Sequence, residues 1–354
     1  MKILITGACA VSARSVVRSL RKSEIFGNAE FIGWDMGSIL YEFYEGLFDR
    51  LYKMPSVKDP TYRKFAEQIL ENEKPDLVVV VPEVEVLYWS KNPFAVKYIV
   101  PPPKFSEIVI SKDRLFKELK GRGLVPETYN FTPEELLSDS FECPLPYPVW
   151  IRDCAAGTAS GKGALKASNA EEIRAWVKLN GGIDNFQISE FLPGGNFGCF
   201  CLFNNGTLVK LCIAERIEYI MAKVAVSGIT GNTAKGRLLN DEKIRQNALK
   251  AIDIVCKKTG EKMHGLVVVD MKGDADGNPR ITEINIRHVA YSSSFANAGF
   301  NISEYQALLA LGRADEIPPE VEKQYPPRNL ILRDVDGLPI YVEDHKDIKI
   351  GEYR

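Results

Sequence analysis

Histidine is almost missing from this chain, with 3 in 354 residues. A mechanism built on an imidazole base has few residues to draw on, and His264, just ahead of an apolar run, reads as a core or turn residue. None of the 7 cysteines has a neighbour at metal-ligand spacing, which gives a structural zinc site no ligands at the usual positions. Their odd number, and Cys199 and Cys201 two apart on an expected strand, suit small buried residues in a reducing compartment, so a cytoplasmic location is expected. No apolar run approaches the ~20 residues of a membrane span. The opening MKILITGACAVSA has too short an apolar core for a secretory signal, and Thr6 and Gly7 interrupt it. Charge of one sign is also lacking: 45 Lys and Arg stand against 47 Asp and Glu, for a net charge of −2. With the basic residues spread along the chain there is no footprint for nucleic acid or an anionic membrane, and neither is expected as a partner. Internal repeats and low-complexity tracts are absent.

What remains is an ordinary globular composition, 45% apolar and 26% charged, long enough for two or three packed units. The first hundred residues alternate strand and helix: KILIT, ARSVVRSLRKS, EFIGWD, TYRKFAEQILENE, DLVVVV. That is the pattern of a parallel sheet with crossover helices, and Pro101–Pro103 ends it. A dinucleotide reading would make Asp35 the ribose acceptor. After Gly7, however, the chain runs ACAVSARS where two further glycines are needed for close approach of a pyrophosphate. Tyr219 and Lys223 have the Tyr-x-x-x-Lys spacing of short-chain dehydrogenases without that fingerprint, which reads as coincidence.

The segment from Gly265 to Arg287, GLVVVDMKGDADGNPRITEINIR, reads as an antiparallel hairpin: a β-branched run, the turn residues GDADGN, and a returning strand. Side chains alternate along a strand, so Glu283, Asn285 and Arg287 share one face and Thr282, Ile284 and Ile286 the other. Mg²⁺ prefers hard oxygen ligands, keeps several waters, and is commonly shared between one or two carboxylates and substrate phosphates. Asp270 and Glu283 offer those carboxylates, Asn285 a neutral oxygen, and Arg287 a cation for a phosphate or a developing acyl phosphate. Upstream, PVWIRDCAAGTASGKGALKAS joins a strand ending at Arg152 to a small-residue loop from Ala155 to Gly163. Gly157, Thr158, Ser160, Gly161 and Gly163 let backbone N–H groups converge on phosphate oxygens, and Lys162 adds a point charge. It is not a Walker loop, because Gly163 follows Lys162 where Ser or Thr would stand. A second mobile loop is expected around Ser227 to Asn232, with Lys210, Arg216 and Lys223 as further phosphate or substrate contacts.

Taken in order, these elements resemble the ATP-grasp superfamily, of the carbamoyl-phosphate-synthetase-like and D-alanine:D-alanine-ligase-like kind, over roughly residues 1 to 310. The resemblance implies an α/β protein: a Rossmann-like pre-ATP-grasp domain at 1–105, an ATP-grasp N-lobe with the phosphate loop at 106–186, and a C-lobe with the adenine hinge and metal hairpin at 187–315. Residues 316–354, including NLILRDVDGLPIYV, which reads as a further hairpin, lie outside it without an assigned role. The implied cofactors are ATP and Mg²⁺, with Mn²⁺ as a substitute, and the metal ligands are Asp270, Glu283 and Asn285. Arg114 of SKDRLFKELKGRGLVPETY, with Lys112 as the alternative, and Arg152 would contact phosphates; Arg287 and Arg152 would be catalytic. Glu190, Phe191 and Leu192 would form the adenine hinge. The usual ribose-binding glutamate is replaced in the Asn196–Phe197 region, leaving Asn196 for that role. The divergent HVAYSSSFANAGFN after Arg287 implies an acceptor pocket of its own shape. The expected activity is ligation of a small-molecule carboxylate to an amine through an acyl phosphate, with a homodimer as a candidate assembly. A noncatalytic nucleotide-binding scaffold and a nicotinamide-dependent reductase or epimerase remain as alternatives.

Overall fold

Short apolar strands separated by amphipathic helices bury both faces of a sheet only when the crossovers pack on it. β1 (Lys2–Thr6), β2 (Glu30–Asp35), β3 (Arg50–Lys53) and β4 (Leu77–Val79) accordingly form a parallel sheet in the order β3-β2-β1-β4. The structure is a computed structural model that describes residues 1–37, 46–154, 164–223, 232–333 and 349–352. α1 (Val11–Arg21) buries Ala13, Val16, Val17 and Leu20, and α2 (Tyr62–Glu73) buries Tyr62, Ala66 and Ile69. α3 (Glu83–Lys91) follows β4. The strand order reverses between β1 and β4, so a crevice opens beyond their carboxyl ends, where open α/β sheets place ligands. Gly7 turns there with φ +67°, and a Cβ on it would stand 2.5 Å from Pro82 Cγ. Asp35 braces the neighbouring turn, accepting from Cys9 N (2.9 Å) and Gly37 N (2.6 Å).

α4 (Pro103–Val109) and α5 (Lys112–Leu119) lead to a second sheet. β5 (Thr128–Phe131), β6 (Val149–Asp153), β7 (Leu165–Ala167) and β8 (Phe186–Glu190) are antiparallel in the order β5-β8-β6-β7. With α6 (Pro133–Leu137) and α7 (Ala170–Leu179) they enclose a small core of their own around Leu136, Ile151, Ile173 and Phe186.

The third sheet is the largest. β9 (Asn196–Asn204), β10 (Thr207–Tyr219), β11 (Thr233–Leu239), β12 (Gly265–Gly273), β13 (Pro279–Asn285) and β14 (Ile331–Leu332) run in the order β13-β12-β9-β10-β11-β14. One face packs Cys199, Cys201, Val267 and Val269 against Ile244, Ala248 and Ile252 of α8 (Glu242–Thr259). The other packs Phe200, Leu202 and Val268 against Phe295 of α9 (Ser292–Asn297) and Leu308 of α10 (Ile302–Leu311), in the same cluster as Ile3, Val16 and Val17 of the first unit. Burial on both faces explains why LVVVDM is a continuous apolar run. α1 and α9 are also joined by Ser15, whose hydroxyl accepts from Ser293 N (2.8 Å) and donates to Ser293 Oγ (3.0 Å).

Lys210 departs from its expected role as a phosphate contact. It is 1% exposed and its ammonium is held by the Pro318 and Glu320 carbonyls, so it fastens the C-terminal segment. Asn329 ties the same segment to β11 through Leu238 O (2.8 Å) and Leu238 N (2.7 Å). Of the hairpin expected there only Ile331–Leu332 is described as strand, and residues 334–348 lie outside the described residues.

β3 is held to β1 by a buried carboxylate. Glu73, 7% exposed, accepts from Arg50 Nε (2.8 Å) and Nη2 (2.9 Å) and from Lys2 Nζ (3.0 Å). Burial disfavours its charge, but Arg50, Tyr52 and Lys2 outweigh burial and hold its pKa at about 2, below the ordinary 4.5. A depressed carboxylate pKa stabilises the folded state fully above the ordinary value, and that stabilisation fades as pH falls through the folded value. Glu73→Gln should therefore cost about 2 kcal/mol at pH 7. The gap from wild type in denaturant titrations should close as pH falls from about 4.5 towards about 2.

Candidate active site

A cleft of about 360 Å³ lies where elements of the three sheets meet. Its floor is the β12–β13 hairpin, in which Asp270 pairs directly with Glu283. A bulge follows, so that Met271 pairs with Ile281 and Thr282 is the extra residue, its hydroxyl donating to Asp270 O at 3.2 Å. The bulge corrects the strict alternation expected from sequence. Ile281 joins Ile284 and Ile286 in the core, while Thr282 lines the cleft beside Glu283 and Asn285.

Like charges directly opposite on adjacent strands repel. Here cations from separate elements surround them: Arg216 Nη2 of β10 lies 2.6 Å from Asp270 Oδ1, and Lys112 Nζ of α5 lies 3.4 Å from Glu283 Oε2. Asn285 Nδ2 donates to Asp270 Oδ2 (3.3 Å) and Glu283 Oε1 (3.4 Å). Burial raises the Asp270 carboxyl to about 6, with Arg216 opposing that shift and Glu283 adding to it. Burial acts on Glu283 too, but Lys112, Arg152, Arg287 and Arg216 overcome it and hold this carboxyl below the ordinary range. The donors suit Mg²⁺: two carboxylates and an amide converge, leaving positions for water and phosphate oxygens, and the Asn285 side chain presents oxygen when its amide turns over. A zinc cage does not fit, since no group of three or more His, Cys, Asp or Glu at metal-binding distance occurs among the described residues.

Arg152, at the end of β6, points both Nε (3.0 Å) and Nη2 (2.7 Å) at Gln187 Oε1 and lies 5.3 Å from the Phe116 ring centroid. Burial lowers its pKa to about 10 and Glu283 opposes the shift, so it remains a cation at neutral pH. Arg287 faces Glu83 across 3.8 Å and donates to His288 O at 3.1 Å. Burial raises the Glu83 carboxyl, with Arg287 pulling it down. Glu190, Phe191 and Leu192 line the cleft together with Trp150, Met271 and Ile284, which supply flat or branched apolar surface. Asn196 lines it as well, its Oδ1 accepting from Lys272 Nζ at 3.3 Å.

The structure does not bring Arg114 into this group. Arg114 is exposed and absent from the cleft lining; Lys112, one residue after the Ser111 cap, is the α5 cation that reaches Glu283. The cause is helix phase: Leu115, Phe116 and Leu119 fix the buried face, which carries Lys112 and turns Arg114 to solvent. Gly157, Thr158, Ser160, Gly161, Lys162 and Gly163 lie outside the described residues, as does most of the 227–232 loop. Tyr219 lines the cleft from the end of a β-strand, away from any helix that would give Tyr-x-x-x-Lys its dehydrogenase meaning. Ser12, Glu83, Lys272 and Arg333 are among the lining residues that the sequence does not single out. Lys272 could have been found, being two residues beyond Asp270 on one strand. Ser12 and Glu83 carry no local signal, because only the strand order brings them here.

No family model matches the chain. Among curated proteins it is 30% identical over 152 residues to the bifunctional purine biosynthetic protein of Pichia angusta, a match covering 38% of this chain and 18% of that one. The chain thus spans under a fifth of that relative's length. Among solved structures it is similar to phosphoribosylamine–glycine ligase from Thermotoga maritima, with TM-score 0.62, 19% identity, and coverage of 93% of this chain and 78% of that one. N5-carboxyaminoimidazole synthetase from Staphylococcus aureus, solved with ADP, also superposes at TM-score 0.62, with 13% identity over 94% of this chain and 79% of that one. No described helix is long and apolar enough to cross a membrane.

The placement of Lys112 and Arg114 makes a direct comparison. Lys112→Ala should weaken ATP binding about tenfold, the loss of one charge-assisted contact, and Arg114→Ala should stay within about twofold, measured by titration calorimetry.

Proposed function

We propose that this chain, which has the ATP-grasp fold, is an ATP-dependent ligase that joins a carboxylate to an amine through an acyl phosphate. The observation that carries the reading is the convergence on one cleft of Asp270, Glu283 and Asn285 with Lys112, Arg152, Arg216 and Arg287, drawn from β6, β10, α5 and the hairpin. Such a constellation suits a reaction in which negative charge must be gathered, held in line and neutralised, with no covalent nucleophile from the protein.

In this reading residues 1–105 help to hold the carboxylate, 106–186 cover the phosphates, and 187–315 carry the adenine hinge and metal site. Mg²⁺ held by Asp270, Glu283 and Asn285 would supply Lewis-acid neutralisation of the phosphate oxygens. Arg152 and Lys112 orient the terminal phosphate from the side of the second sheet. Arg287, kept in place by Glu83, holds the substrate carboxylate, whose oxygen attacks the γ-phosphorus as the bond to ADP breaks. The amine then attacks the acyl carbon and phosphate departs. Glu190, Phe191 and Leu192 form the adenine side. One observation favours a second reading, a scaffold that binds nucleotide without turnover: Asn196 stands where the family's ribose carboxylate is expected, and Lys272 already engages it.

Incubation with Mg-ATP, pooled carboxylates and hydroxylamine separates the two. Hydroxamate with equimolar phosphate is the expected result, and Glu283→Gln should lower it at least about a hundredfold while leaving the melting temperature close to wild type. Near-normal turnover in that variant would sink the metal assignment, and tight Mg-ATP binding with no product from a broad panel would favour the scaffold.

A further inference from the structure

The C-terminal segment runs along the outer edge of β11, where Gly236 pairs with Ile331, Lys235 pairs with Leu332, and Arg333 N donates to Ala234 O at 2.8 Å. This edge pairing delivers the Arg333 side chain to the cleft, whose wall it shares with Tyr291 and Ser12. Tyr291 is 2% exposed, and its hydroxyl has no hydrogen-bond partner among the described residues. A buried hydroxyl left unpaired is costly, so its place on a cleft wall points to a ligand that completes it. The hydroxyl lies over Gly236, where any Cβ would collide with it, so the strand that receives the tail also leaves room for the phenol.

The surroundings are cationic. Burial raises the Tyr291 phenol, opposed by Arg333 and Arg216. Burial also depresses the Arg333 guanidinium, and Arg18 and Arg14 of α1 depress it further, with Tyr291 opposing them. A partly buried cation among like charges is relieved by an anion in contact with it. Arg14 and Arg18 have interactions of their own and contribute field alone; the contacts belong to Arg333 and Tyr291. Neither residue has a part in the phosphate and metal chemistry described above, and Arg333 belongs to the segment beyond the family resemblance.

We infer that Arg333 and Tyr291 form a subsite for a second anionic group, carboxylate or phosphate, on the acid that this enzyme activates. The inference rests on the ligase reading for the first carboxylate. A guanidinium forks onto either oxyanion, and the phenol adds one donor at a fixed place. The acid would therefore be a dicarboxylate or a phosphorylated carboxylic acid rather than a neutral-tailed one.

The test is titration calorimetry on the full chain with Mg²⁺ and a nonhydrolysable ATP analogue. Succinate and glutarate are compared with butyrate, and 3-phosphoglycerate with glycerate. At least one dianion should bind about tenfold or more tighter than its monoanionic partner, and the winning pair tells carboxylate from phosphate. Arg333→Gln should erase that preference, leaving monoanion binding within about twofold, and Tyr291→Phe, which removes one oxygen, should reduce it about threefold while raising the melting temperature of the ligand-free protein by about 2–4 °C, because the unpaired hydroxyl is gone. Equal binding within every pair, absence of binding by all the dianions, or a preference that survives Arg333→Gln would overturn the subsite. The two readings fail separately: a dianion held through Arg333 that yields no hydroxamate removes the ligase reading, whereas hydroxamate formed equally from both members of each pair removes the subsite alone.

Discussion

Two carboxylates set directly opposite each other on adjacent strands are the constraint to which much of the molecule answers. Burial and the facing Glu283 both disfavour charge on Asp270, while Glu283 itself stays partly exposed on the cleft wall. Arg287 follows Glu283 on the same hairpin, but the other cations come from far along the chain: Lys112 begins α5, Arg152 lies near the end of β6, and Arg216 lies near the end of β10. Lys112 and Arg216, which reach 3.4 Å from Glu283 and 2.6 Å from Asp270, are brought there by separate packed elements, so the charge state of the hairpin depends on how the sheets meet. The balance is uneven. Glu283, ringed by several cations, is held below the ordinary range, whereas Asp270, with Arg216 as its main support, is raised to about 6. A divalent cation at this pair would replace the amide donor Asn285 Nδ2 now bridging both carboxylates.

The first unit is fixed to this arrangement by apolar packing. Ile3, Val16 and Val17 share a cluster with Phe200, Val268 and Phe295, so the parallel sheet and the large antiparallel sheet bury each other's surfaces. The reversal of strand order between β1 and β4 then opens on the cleft and not on bulk solvent, which is how Ser12 and Glu83 come to line it. At that crevice Asp35 braces a turn and Glu83 faces Arg287 beyond the end of β13.

Much of this was readable from residue order because it rests on local rules. The strand and helix alternation of the first hundred residues and the hairpin ending in Glu-x-Asn-x-Arg both follow from periodicity and turn chemistry. What escaped was set by distance along the chain or by a break in period. β3 has four residues and no alternation to reveal it. The bulge at Thr282 changes the face of one residue without altering composition. The helical phase that selects Lys112 over Arg114 is decided by which of Leu115, Phe116 and Leu119 find a core. Lys210 had the look of a strand-edge cation and proved to be an anchor, because the carbonyls that hold it lie more than a hundred residues away.

The edge of β11 shows why the C-terminal segment belongs to the working molecule rather than to its periphery. An uncovered edge strand invites pairing with other chains, and β14 closes it. Closure alone would need no particular residue at position 236. Yet Gly236 pairs with Arg216 on one side and Ile331 on the other, and the Tyr291 hydroxyl rests where its side chain would be. One residue without a side chain therefore joins the strand that balances Asp270, the strand that brings Arg333, and the turn that follows the hairpin. Lys210 and Asn329 hold the same segment from two further points, so Arg333 reaches the cleft on a backbone fixed on several sides. A tail needed only to cover an edge would not require that many restraints; one that sets a guanidinium within a binding cleft does.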